Sequence, residues 1–266
     1  MKKLLIIVIL MGAVCMFFRQ PDYAYIDNIT VDNKIYKVYE KNNYLYIKKD
    51  NGFNKIIDER IIDFKIYNID NDENDEILII TKHETKEHGS DFIIYDTEDD
   101  DGLINTKEIY RQDFYDIKPW KVDACNLDND GETDIFIGVY KDTVFYKDIR
   151  NRPFFYSWNG EQLNKKWLGS FFTDWELIDI AFGDYYNLGY DIAAVLEKNN
   201  DSYRVSYYKF IGFGFENMDT SEIYTNVRSI ETVKEDGRDA LTLNFSGIRK
   251  NMHVTYMPVE RNSDSS

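Results

Sequence analysis

The chain has 266 residues, a net charge of −16 and 16% aromatic residues, with 21 Tyr and 17 Phe but only 4 Pro. So negative a surface repels phosphate backbones and anionic lipid headgroups, which argues against nucleic acid as a partner. The few prolines and moderate glycine exclude a collagen-like or proline-rich disordered chain, while the length supports a sizeable core and the aromatics favour pleated, half-buried strands.

Residues 1–20 read as an export segment. Lys2 and Lys3 precede an unbroken apolar run from Leu4 to Phe18, closed by Arg19. As a helix that run spans about 22 Å, short of a comfortable bilayer crossing, which fits a secretory signal peptide or a short anchor. Ala13-Val14-Cys15 is a poor cleavage site, and Val14 stands where a lipoprotein site wants a small residue. The expectation is an uncleaved N-terminal membrane anchor holding an extracytoplasmic domain at the bacterial cell envelope, with lipidation at Cys15 as the minor alternative. Beyond residue 20 the balance is 29 basic against 48 acidic residues, and Cys125 is the one remaining cysteine, so that domain has no internal disulfide.

Residues 24–60 hold strand-like runs (ITVDNKIYKVYE, YLYIKKD). A repeated unit then starts at Ile61 (IIDFKIYNIDNDENDEILIITK), at Lys118 (KPWKVDACNLDNDGETDIFIGVYK), at Glu176 (ELIDIAFGDYYNLGYDIAAVLEK) and, more weakly, at Val227. Each copy reads apolar strand, polar loop, apolar strand. Further short strands lie between copies, with turns at Asp101-Gly102, Asn159-Gly160 and Asp236-Gly237. The unit is about four strands in about 50–58 residues. Four antiparallel strands cannot bury both faces alone, whereas radial stacking covers the faces and protects the edges. The expected fold is all-β: a β-propeller-like array of about five four-stranded antiparallel blades over residues 24–260, one blade completed by strands from both ends. Residues 261–266 read as a disordered tail.

The polar loops carry the sharpest pattern. In NLDNDGETD, Asn126, Asp128, Asp130 and Asp134 stand at positions one, three, five and nine, with Gly131 at the turn and the Glu132 carbonyl facing inward. Calcium takes six to eight hard oxygens, and such a loop supplies them. NIDNDENDE offers Asn68, Asp70, Asp72, the Asn74 carbonyl and Glu76, with Glu73 where the glycine would be. Ile137 and Ile79 stand at position twelve and the flanks are strands, which rules out an EF-hand. The bland alternative is an acidic hairpin turn without an ion.

D-x-D-x-D-G-x-x-D followed by Ile135-Phe-Ile-Gly138 resembles the FG-GAP and VCBS-type repeats, the calcium-loop blades of integrin α-subunit heads and many bacterial surface proteins. Phe182-Gly183 matches that family's Phe-Gly pair, with Tyr185 and Asn187 where carboxylates would stand. The resemblance covers about Ile61 to Leu243. It implies a propeller scaffold, Ca2+ used structurally in the loops, and a role in recognition.

Other patterns are weaker. His83 and His88 are five apart in a loop, the wrong spacing for a helical zinc pair. No serine sits in a nucleophile elbow. With 48 acids present, a pair suited to glycoside hydrolysis has no sequence signature. The segment Arg150 to Ser170 gathers Tyr156, Trp158 and Trp167 with Arg150, Arg152, Lys165 and Lys166. Those aromatics form either, together with the bases, a recognition surface for a glycan or protein ligand, or core between blades with the bases facing water. The leading functional expectation is a non-enzymatic calcium-binding recognition or scaffold domain. A carbohydrate-active hydrolase and a purely structural envelope component are the alternatives.

Overall fold

The computed structural model describes residues 23–50, 52–82 and 88–245, and the backbone of 252–253. The expected leader, most of the His83–His88 segment and the expected tail lie outside the described residues.

The described chain is all-β apart from one short 3-10 turn, Tyr115–Ile117. The first sheet holds β1 (Ala24–Val31), β2 (Lys34–Lys41), β3 (Tyr44–Lys49) and β4 (Gly52–Lys55). The second holds β5 (Ile61–Tyr67), β6 (Glu76–Lys82), β7 (Gly89–Asp100) and β8 (Leu103–Asp113). The third holds β9 (Pro119–Cys125), β10 (Thr133–Lys141), β11 (Arg150–Trp158) and β12 (Leu163–Leu168). The fourth holds β13 (Glu176–Gly183), β14 (Ile192–Asn199), β15 (Ser202–Phe210) and β16 (Phe215–Thr220), and the fifth β17 (Val227–Glu235), β18 (Arg238–Phe245) and β19 (Met252–His253). Within every sheet the strands pair antiparallel in chain order, four four-stranded blades and a fifth of three strands in a propeller arrangement. Among the described residues no blade mixes strands from the two ends, which corrects that part of the expectation: Ala24–Lys55 supplies four strands of its own.

Alternation explains why the second strand of each repeat is an unbroken apolar run. Side chains leave a strand on opposite faces in turn. Ile77 and Ile79 of β6 pack with Ile29, Val31 and Val38 of the first blade, while Leu78 and Ile80 pack with Ile135 and Ile137 of the third. In β14, Ala193 and Val195 face Phe136 and Phe155, and Ala194 and Leu196 face Ile230 and Leu243. A strand buried on both faces has no room for polar alternation.

Polar contacts set the blade order. Asp75, Thr133, Asp191 and Asp239 each stand just before or at the start of a second strand, and each reaches the preceding blade. Asp75 Oδ2 accepts from Thr30 N (2.6 Å), Thr133 Oγ1 donates to Ile69 O (2.9 Å), Asp191 Oδ2 accepts from Asn126 N (2.8 Å), and Asp239 Oδ2 accepts from Asp184 N (2.9 Å). The first strands are also linked: Asp63 Oδ2 accepts from Val122 N (2.8 Å) and Asp179 Oδ2 from Ile230 N (2.9 Å), while Lys65 pairs with Asp123 (2.6 Å) and Lys121 with Asp179. Burial pushes Asp63 up to about 6, against Lys121 and the Val122 N–H. These contacts gather the β5–β6, β9–β10 and β13–β14 loops at one end of the molecule and leave the β10–β11 loop and the β12–β13 connection at the other.

Candidate functional site

At the loop end, Asn68–Glu76 and Asn126–Asp134 share one backbone device. The ninth residue is buried and closes the loop: Glu76 Oε2 accepts from Ile69 N (2.8 Å) and Asp134 Oδ2 from Leu127 N (3.0 Å). The fourth residue, Asn71 or Asn129, takes a left-handed backbone. Gly131 has φ +92°, where a side chain would be strained, but Glu73 at the same place does not. The first loop therefore turns without the glycine that the pattern asks for.

The two loops differ in charge. One oxygen each of Asp70, Asp72 and Glu76 lies within 4.8 Å of the others. Burial pushes Glu76 up to about 8, and the charges of Asp70 and Asp72 add to the rise. Asn68 Oδ1 is buried without a hydrogen-bond partner, while its Nδ2 donates to Asp72 O (2.7 Å). In the second loop an ammonium stands among the acids: Lys166 Nζ lies 2.7 Å from Asp134 Oδ1, 2.9 Å from Asp128 Oδ2 and 3.4 Å from Asp130 Oδ2. Burial would lower Lys166, but its bonds to Asp134 and Asp128 hold it above its ordinary range. Asp134 is pushed up by burial to about 6, the ammonium opposing. Glu132 N donates to Asp130 Oδ1 (3.0 Å) and Asn74 N to Asp72 Oδ1 (2.6 Å), so Asp130 and Asp72 also brace their turns. The oxygen set of the first loop fits a hard dication. In the second, Lys166 takes that place.

The opposite end carries a small aromatic cleft of about 10 Å³ between the third and fourth blades, lined by Arg150, Asn151, Phe172, Thr173, Trp175 and Glu197 among others, with Arg150 paired to Asp148 (3.3 Å). Arg150 sits over the Phe171 ring (5.0 Å) and Arg204 over Trp175 (4.1 Å). Glu197 is 1% exposed and saturated. It accepts from Thr173 Oγ1 (2.8 Å), Tyr208 OH (2.9 Å), Ser206 Oγ (2.9 Å) and Arg204 Nε (2.7 Å). Beside the cleft the β10–β11 loop exposes Val144, Phe145, Tyr146 and Ile149, with Phe145 87% exposed. Tyr146 packs edge-on against Phe171 (4.7 Å). Arg152 holds that loop from beneath: fully buried, it donates to Lys141 O (3.2 Å), Ser170 O (2.5 Å) and Asp148 O (2.7 Å). At the same end, His88 stacks on Tyr140 (5.3 Å) with Lys118 Nζ 5.8 Å from that ring. Tyr140 pairs across β10–β11 with Asn151.

Two expectations for the aromatic segment change. Tyr156 and Trp158 are each 4% exposed and fill the core between the second and third blades, so neither forms a recognition surface. Arg152 does not face water. Trp167 is half-buried against Phe155, Phe172 and Phe215. The sequence alone does not single out the cleft residues Trp175 and Glu197, or Arg204, which pairs with Glu197 behind the cleft. Their one signal is a glutamate closing the apolar run Ile192–Leu196, with Arg204 opposite it in the β14–β15 register.

No family model matches the chain, and no curated protein matches it. Among solved structures, it is similar to a polysaccharide lyase of a new family, a PL25 ulvan lyase, with a TM-score of 0.51 and 12% identity over 84% of this chain. The chain spans 62% of that structure's length. The likeness establishes a shared propeller fold. It also corrects the leading expectation of a non-enzymatic calcium-binding recognition or scaffold domain, because the propeller it matches carries an enzyme.

Proposed function

We propose that this chain is a carbohydrate-active enzyme that cleaves an acidic polysaccharide at the cleft between its third and fourth blades. The observation that carries the reading is the pairing of Arg150 and Arg204 with Phe171 and Trp175 in so acidic a protein. A guanidinium pairs with a sugar carboxylate or sulfate, and an aromatic face packs on a sugar ring.

The choice between hydrolysis and elimination follows from the acids. Glycoside hydrolysis canonically uses two carboxyl groups flanking the bond. Glu197 is the one acid lining the cleft, and four donors already occupy it. Elimination from a uronate instead needs a cation that neutralises the carboxylate, a base for the adjacent C–H and an acid for the leaving oxygen. Arg150 suits the first role once a substrate carboxylate replaces its partner Asp148 (3.3 Å). The stacked His88 and Tyr140, one cross-strand step from Asn151, suit the other two. The expected extracytoplasmic placement would put the cleft where polysaccharides are met.

The test is turnover on a panel of acidic and neutral polysaccharides, followed by ultraviolet absorbance of unsaturated uronate ends. Acidic chains are expected to react, and Arg150→Ala should lower kcat/KM about 10- to 100-fold, the worth of a charge-assisted bond. Reducing ends formed without unsaturation would replace elimination by hydrolysis. Absence of both turnover and glycan binding would sink the carbohydrate reading.

Within that protein, we propose that the first loop is an FG-GAP/VCBS-type calcium loop. Asp70, Asp72 and Glu76 would hold Ca2+, with Asn68 and the Asn74 carbonyl as further oxygen donors. The ion would supply charge neutralisation to a buried acid cluster, a structural contribution remote from the cleft.

A further inference from the structure

In three blades the fourth strand carries a β-bulge at the same place, and the identity of its extra residue differs from blade to blade. In the third blade Phe155 pairs with Trp167 and Tyr156 with Lys165, which leaves Lys166 as the extra residue of a β-bulge. In the second blade Ile94 pairs with Tyr110 and Tyr95 with Glu108, leaving Ile109 at the same place. In the fourth, Tyr207 pairs with Asp219 and Tyr208 with Asn217, leaving Met218. A bulge bends its strand and re-aims its extra side chain. The aimed residue matches the ninth loop residue in two of the three blades. Asp134 meets Lys166 (2.7 Å), and the apolar Ile192 shares its core with Met218. The second blade breaks the match, with buried Glu76 in the loop and apolar, 41% exposed Ile109 at the bulge.

We infer that the bulge residue of the fourth strand decides whether a blade's loop takes a divalent cation: Lys166 is a tethered counter-ion that makes the Asn126–Asp134 loop metal-independent, and Ile109 leaves the Asn68–Glu76 loop to recruit one. A buried carboxylate needs either a partner charge or a proton. An ammonium 11% exposed, within 3.4 Å of three carboxylates, occupies the position a dication would need. This goes beyond the family pattern, which makes the glycine-containing loop the better calcium loop. Here the loop with the more complete motif is the one that needs no metal.

The inference rests on the calcium reading of the first loop and not on the glycan reading of the cleft. The experiment is calcium titration calorimetry on chelator-treated protein, with circular dichroism confirming the fold. Wild type is expected to bind one calcium per chain, Lys166→Ile two, and Ile109→Lys none. Ile109 is a surface residue, so that variant folds even where removal of Lys166 is too costly. A wild type that binds two ions overturns the inference, as does a folded Lys166→Ile that still binds one. If wild type binds one and Ile109→Lys also binds one, this inference fails while the calcium reading stands. If wild type binds none, both fall together.

Discussion

The loops Asn68–Glu76 and Asn126–Asp134 close through the same bond, from a buried ninth carboxylate to the second backbone N–H, yet they settle their charge differently. In one, three carboxylates crowd without a cation from among the described residues. In the other, Lys166 reaches in from the outermost strand. Backbone geometry therefore does not decide what neutralises an acidic loop. A residue more than thirty positions away does.

The largest effect that separates them is on stability. Asp134→Ala removes the partner of both Lys166 and the Leu127 N–H and leaves a largely buried ammonium without its nearest acid. The expected cost is about 3–5 kcal/mol, the range for breaking a buried pair. Glu76→Gln keeps an oxygen for the Ile69 N–H and removes a charge that burial already disfavours. With chelator present it should cost less than about 1 kcal/mol. Urea midpoints for the two variants check this, and equal losses would mean the loops do not differ electrostatically.

Much of this was legible in the sequence. Runs such as Ile77–Ile80 and Ile192–Leu196 announce strands buried on both faces, and the 58-residue recurrence of the polar loops announces repeated blades. Lys166 was visible only as a base in an aromatic segment, because its role depends on a bulge that local patterning does not reveal. Tyr156 and Trp158 were ambiguous for a related reason: aromatic alternation in β11 looks the same whether the neighbouring face is water or another blade. Glu197 and Arg204 are ordinary charged residues until the β14–β15 register places them opposite each other.

An intermediate effect belongs to neither loop and has to be separated from both. Asp63 on β5 has its folded pKa raised by burial to about 6, above the ordinary carboxylate value near 3.9. The folded state thus holds its proton over a window in which the unfolded chain has released it. Its stabilising contribution is fully present below about pH 4 and is lost as pH rises through about 6. Asp63→Asn keeps an acceptor for the Val122 N–H and removes the titration. The stability difference should therefore move in favour of the Asn variant by roughly 1–3 kcal/mol between pH 4 and 6. Denaturation midpoints at several pH values measure it, and a gap that stays flat with pH would refute the assignment.

The smallest effect is the most specific to the comparison. A calcium site of the extracellular class binds at about 10⁻⁴–10⁻³ M, so about 2 mM calcium adds roughly 0.7–1.8 kcal/mol to the folded state by mass action. That increment should vanish in Asp72→Asn, since Asp72 is one of the three converging acids. It should persist in Asp130→Asn, because Asp130 already faces Lys166. Thermal melts with and without calcium, compared with chelator controls, resolve the two cases. Both positions are exposed acids at the fifth place of their loops, and each accepts a backbone N–H two residues on. Removing either charge therefore perturbs the turn in the same way, and only the dependence on calcium distinguishes them. If Asp130→Asn also loses the increment, the ammonium has not replaced the ion, and the two loops are equivalent after all.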